Sequence, residues 1–137
     1  MPFLQIFCVA VLALPWLWPY TSGPLVPVEP YLASAVAAAV LLAVWPRDLA
    51  RGAGCVATGF AAAATVSALI ALLQYFNFEN RFYPWIIIAQ PGQAFGNLRQ
   101  PNQLATLLVL GLLSLRWLQA RGRLSRGTTG ALAGLLL

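Results

Sequence analysis

The sequence predicts an all-α fold, a polytopic bundle of transmembrane helices with about four full crossings and the start of a fifth. Three observations point to it. The chain is 61% hydrophobic and 8% charged, against roughly 45–50% and 25% in soluble domains, so a water-soluble fold would lack polar surface. Its apolar residues fall into runs near the roughly 20 residues that a bilayer crossing needs, and 137 residues hold four such runs with short loops between them. All eight basic residues are arginines, and most sit in two short clusters between apolar runs. That arrangement reads as a topology signal and not as a nucleic-acid surface, so no nucleic-acid partner is expected.

The first helix is expected over about 2–18. Its N-terminal stretch has no Lys or Arg and no small-x-small site precedes Thr21, so it is read as a retained helix and not a cleaved signal peptide. Pro15 and Pro19, with Trp16, Trp18 and Tyr20, mark its end at a membrane interface. Pro24, Pro27 and Pro30 then make 19–30 an extended outer loop. A second helix over 31–45 is Ala/Leu/Val-rich and slightly short for a span, and Trp45-Pro46-Arg47-Asp48 closes it.

The third helix, 52–75, carries Cys55, Gly59, Ala63 and Ser67 four residues apart on one face. Small residues at this spacing let helices approach closely in lipid. The long loop 76–102 follows, rich in Gln and Asn. Within it 84–89 is too short to cross, so it lies in the interface or dips in as a re-entrant piece. The fourth helix is expected over 103–119. The run 127–137 starts a fifth, but at 1.5 Å per residue it reaches only about 16 Å into the bilayer. The expectation is therefore that 1–137 is the N-terminal transmembrane part of a longer membrane protein.

Arg47 and Arg51 follow helix two, and Arg116, Arg121, Arg123 and Arg126 lie at or beyond the end of helix four, six of the eight arginines in all. The positive-inside rule makes those ends cytoplasmic. The N-terminus is then cytoplasmic too, and the loops 19–30 and 76–102 are outside.

Little here can do acid or base chemistry. There is no His and there are three carboxylates, Glu29, Asp48 and Glu79, scattered over loops, so no catalytic residue is assigned within the chain. Cys8 and Cys55 lie in apolar segments without ligand partners, which excludes a zinc or CxxC site and leaves them packing roles. No metal and no cofactor are expected. Arg81, beside Glu79 and flanked by Phe78, Phe82 and Tyr83, reads as an interfacial anchor.

One dense polar motif remains, Gly96-Asn97-Leu98-Arg99-Gln100-Pro101-Asn102-Gln103-Leu104-Ala105, where the outer loop enters helix four. The N–H groups at that helix start, and the positive end of its dipole, face the outer interface and favour anions. Asn102 is expected as the N-cap, because Pro101 disfavours helix at Gln100. Arg99 adds a permanent charge whose planar fork matches phosphate oxygens, Gly96 allows close backbone approach, and Asn97, Gln100 and Gln103 supply amide donors. Together these read as a pyrophosphate or glycan site at membrane depth. The plainer alternative is that Arg99 snorkels to headgroups while the amides cap helices and satisfy loop backbone.

This motif resembles the GNLRQPNQLA motif of bacterial protein O-oligosaccharyltransferases that glycosylate pilin, within the O-antigen ligase and polymerase superfamily. A looser likeness covers 14–24, a proline- and aromatic-rich first outer loop. The resemblance implies a bacterial inner-membrane enzyme of about a dozen helices. Such an enzyme transfers a glycan from undecaprenyl pyrophosphate to an acceptor, pilin, another protein, lipid A or a polysaccharide, on the periplasmic face. It implies that Arg99 contacts the lipid pyrophosphate while Asn97, Gln100, Asn102 and Gln103 shape its surroundings. It also implies a later periplasmic loop carrying a catalytic His and further Arg residues. This sequence has no counterpart to that loop, so the chain is expected to be inactive alone. Two other readings fit the composition: a small non-enzymatic multi-spanning protein, such as a transporter half or assembly subunit, and a channel or lipid-exporter piece whose Gln/Asn loop lines a path.

Overall fold

The computed structural model describes residues 2–19, 28–45, 48–98 and 100–137. The described residues form five α-helices: α1 (Pro2–Leu17), α2 (Glu29–Val44), α3 (Leu49–Tyr75), α4 (Pro101–Ala120) and α5 (Arg126–Leu136), with a short 3-10 turn at Glu79–Phe82. The all-α expectation stands, with the fifth helix in its expected place.

Two helices, α3 with 27 residues and α4 with 20, are long and apolar enough to cross a membrane. The helices α1 and α2 have 16 residues each, about 24 Å at 1.5 Å per residue and short of a hydrocarbon core of about 30 Å. Most of the expected loop 19–30 falls outside the described residues.

Local chemistry fixes the helix ends. Asp48 opens α3, its Oδ1 accepting from the Ala50 N–H at 2.9 Å, so α3 starts three residues earlier than expected and Asp48 belongs to it and not to the close of α2. The end of α3 is a Schellman turn. Asn77 takes φ of 58°, its N–H donates to the Gln74 carbonyl, and the Phe78 N–H reaches back to the Leu73 carbonyl at 2.8 Å. Gly122 does the same for α4 at φ of 67°, with Arg123 N–H on the Leu118 carbonyl. Ser125 then caps α5 by accepting from the Thr128 N–H at 3.1 Å.

The core is the seam between α3 and its neighbours. The small-residue face expected on α3 is buried throughout, and Ala63 and Ser67 have no exposed surface. At Gly59 the Leu12 side chain of α1 fills the place a Cβ would take, and Ala64 faces Gly111 of α4 in the same way. Pairing of Gly54 with Arg123 and of Ala64 with Gly111 sets α3 and α4 antiparallel. Leu104, Leu107, Leu115 and Leu118 supply the α4 side of the seam. In lipid such an interface is held by close packing and not by expulsion of water.

Gly59→Val inserts an isopropyl group where Leu12 already sits. It is expected to part α1 from α3 and lower stability by about 1–3 kcal/mol, read as a fall in the thermal midpoint in detergent. An unchanged midpoint would show that the seam is softer than its geometry.

α2 rests mainly on α1 and buries no residue. The side of this Ala-rich helix turned to α1, with Ala33, Ala37, Val40 and Val44, is half-buried, and its other side is exposed among the described residues.

Candidate functional site: a polar cavity at the start of helix α4

The loop between α3 and α4 is organised by two buried amides. Gln74 lies in the last turn of α3 with no exposed surface. Its Oε1 accepts from the N–H groups of Gly96 at 2.8 Å and Phe95 at 3.1 Å, and its Nε2 donates to the carbonyls of Gly96 at 2.8 Å and Ile87 at 2.9 Å. One side chain thus satisfies four loop backbone groups that burial would otherwise leave without partners.

Asn97 is the second latch, 1% exposed. Its Nδ2 donates to the carbonyls of Leu17 at 2.7 Å and Trp85 at 2.9 Å, while Oδ1 accepts from the Ile87 N–H at 3.1 Å. Three segments meet there: the end of α1, the 84–89 stretch and the motif itself. The 84–89 stretch is therefore an irregular segment pinned to the helices, with Ile86 buried beneath it.

Gly96 has φ of 63°, a left-handed conformation that glycine adopts without strain. Its close approach is to α3, since an added Cβ would lie 3.5 Å from the Ser67 carbonyl oxygen. Gly96 therefore brings the loop onto the protein, and not the backbone onto a ligand.

The helix start corrects one expectation. Gln100 is the N-cap, in extended conformation at φ −140° and ψ 133°, and Pro101 takes the first helical position. Asn102 is inside the first turn, its carbonyl accepting from Thr106 Oγ1 at 2.9 Å. The reason is that proline suits that first position, where no N–H is needed and its fixed φ is already helical. The restriction on the residue before proline then falls on Gln100, which makes it the cap. Gln100 gives no side-chain cap bond. Pro101 has no N–H and the Gln103 N–H donates to the Gln100 carbonyl at 3.1 Å, so among the described residues the Asn102 N–H is the first-turn donor left without a partner.

This construction frames a cavity of about 590 Å³, lined by Pro15 and Trp16 of α1, Pro30, Tyr31 and Ser34 of α2, and Asn97, Leu98, Gln100, Asn102, Gln103 and Thr106. Four of the five expected site residues, Asn97, Gln100, Asn102 and Gln103, come together at it. The fifth, Arg99, lies outside the described residues. Gln100, Asn102 and Gln103 are exposed and make no side-chain hydrogen bond to another described residue. Both N–H hydrogens of Asn97, by contrast, are taken by backbone carbonyls, so this residue builds the wall and has no donor left for a ligand.

The cavity receives two helix starts, α4 from Pro101 and α2 from Glu29. The sequence pointed to one. Each brings the positive end of its dipole. An apolar hollow of about 440 Å³, lined in part by Leu14, Leu17, Ile70, Trp85 and Ile86, shares Asn97 with it.

Glu79 is 2% exposed and its Oε2 has no hydrogen-bond partner, and the hydroxyl of Ser67 is likewise buried and unpaired. Among the described residues the single ion pair is Arg51 with Asp48 at 3.3 Å, so Arg81 does not neutralise Glu79. Its guanidinium instead lies 5.9 Å from the centre of the Phe78 ring, within the range of a cation–π contact.

An apolar helical bundle with a cavity lined by amide and hydroxyl side chains at one end of its long helices is the class these features define. A family model described as protein glycosylation ligase matches residues 94–118, a stretch that holds the motif and most of α4. No curated protein matches the chain. No solved structure matches it.

Proposed function

We propose that this chain is the donor-binding part of a membrane glycosyltransferase that moves a glycan from a lipid pyrophosphate to an acceptor outside the cytoplasmic membrane. The observation that carries the reading is the convergence of Gln100, Asn102 and Gln103 on one cavity between two helix starts. The glycosylation-ligase match to the same segment, 94–118, supports it.

On this reading undecaprenyl pyrophosphate brings its diphosphate to the cavity mouth. The Asn102 N–H in the first turn of α4 and the side-chain amides of Gln100, Asn102 and Gln103 donate to its oxygens, and Arg99 supplies the full charge. The acceptor hydroxyl, of pilin or another glycan acceptor, attacks the anomeric carbon as the bond to phosphate breaks. The pyrophosphate leaves with that electron pair, and the hydroxyl proton passes to a base outside this chain, which has no His. Donors that bind the departing diphosphate more tightly as its charge grows lower the barrier to that step.

Arg99→Ala in the full-length protein is expected to lower glycan transfer about tenfold or more, the loss typical of one charge-assisted phosphate contact. Membrane insertion should be unaffected. Wild-type transfer by this variant would remove Arg99 from the donor site.

A further inference from the structure

The end of the bundle opposite the cavity carries a second feature. Arg51 starts there with α3, and Arg116, Arg121, Arg123 and Arg126 gather around the end of α4 and the start of α5. The antiparallel packing of α3 on α4 is what brings the two clusters to one level, with the Arg123 guanidinium laid over Gly54. One carboxylate, Asp48, stands among them, and it is already occupied by Arg51 and the Ala50 N–H.

Arg121, Arg123 and Arg126 are exposed, and none has a carboxylate partner among the described residues. Two tryptophans set their depth. Trp117 lies beneath Arg121, whose guanidinium is 5.1 Å from a ring centre, and Trp45 folds onto Gly52 one turn into α3. Indoles favour the headgroup layer of a bilayer, so these guanidinium groups stand at the level of lipid phosphates.

We propose that this end is a binding surface for anionic phospholipids, with Arg121, Arg123 and Arg126 holding headgroup phosphates of the leaflet around it. The proposal rests on α3 and α4 crossing the bilayer. It is independent of what the opposite cavity binds. Arginine forks match phosphate oxygens in pairs, and several basic residues just beyond a crossing attract anionic lipid additively.

The test reconstitutes the protein in nanodiscs of phosphatidylcholine, with or without an equal share of phosphatidylglycerol, and counts the lipids retained on the released protein by native mass spectrometry. Phosphatidylglycerol should be retained in preference to phosphatidylcholine, and inorganic phosphate should not displace it. Arg121→Gln with Arg126→Gln leaves Arg123 on Gly54, so this variant should keep its helical circular dichroism. Its preference should fall about fivefold for each arginine removed. Equal retention of the two lipids by the wild type overturns the proposal, as does an unchanged preference in the double variant. Displacement by inorganic phosphate would assign the surface to a soluble anion instead. If the wild type does not enter nanodiscs at all, the membrane reading has failed first.

Discussion

Gln74→Leu is expected to unfold the loop between α3 and α4 while leaving the helices standing. Leucine has nearly the volume of glutamine, so packing against α3 is kept and the change isolates the hydrogen bonds. Four backbone groups lose their partner at once: the N–H groups of Phe95 and Gly96 and the carbonyls of Gly96 and Ile87. Each buried group left unsatisfied costs about 1–3 kcal/mol. The loop has few other anchors, so it should detach from α3 before that full penalty is reached. Limited proteolysis within 84–98 should become fast where the wild type resists, while far-ultraviolet circular dichroism changes little. Gln74→Glu should be intermediate, because a carboxylate keeps the acceptor for Gly96 and Phe95 but has no N–H for the two carbonyls. A loop in the Leu variant as resistant as the wild type would mean that Gln74 is not its anchor.

Gln74 also shows where a sequence reading stops. It sits at the end of an apolar run, in a position indistinguishable from an interfacial side chain. Its partners are 13 to 22 residues away in a segment without periodicity. A buried glutamine in a membrane-length helix is a signal in itself, since polar groups are expensive there unless paired. The sequence shows the residue but not whether the helix has ended before it. The small-residue face of α3 was legible because four-residue spacing on a helix needs no knowledge of the partner, and Gly59 and Ala63 lie where that spacing put them.

The start of α4 was legible to within two residues, and the error there has a local cause. Asparagine and proline both signal helix entry, by different means. The asparagine side chain competes for the cap, whereas the proline ring fixes φ for the first turn. Pro101 comes first along the chain, so Gln100 becomes the cap and Asn102 moves inside. The correction also reduces the donors that the helix start can offer: Pro101 has no N–H and the Gln103 N–H turns back to the Gln100 carbonyl, which leaves the Asn102 N–H. The contribution of α2 to the cavity could not be read from sequence. The arginine pattern put the starts of helices two and four on one side, but nothing in the run from Glu29 to Ser34 indicates that the two starts share a cavity.

Asn97 gives the sharpest test of how the motif is divided between building the site and serving it. If Asn97 were a ligand contact, its loss would lower transfer and leave the fold intact. The geometry says the reverse, because its three hydrogen bonds all go to the chain's own backbone. Asn97→Ala should therefore lower stability by about 3 kcal/mol, with the Ile87 N–H and the carbonyls of Leu17 and Trp85 left short of partners. Asn97→Asp should be worse than Ala although it is nearly isosteric. It keeps the acceptor for Ile87, but it places a buried carboxylate against two carbonyl oxygens that had been accepting from the amide, and burying a charge without a donor is more costly than leaving a small void. Thermal midpoints ordered wild type, Ala, then Asp would establish Asn97 as the pin joining α1 to the loop. A wild-type midpoint for Ala, with glycan transfer lost, would return it to the ligand.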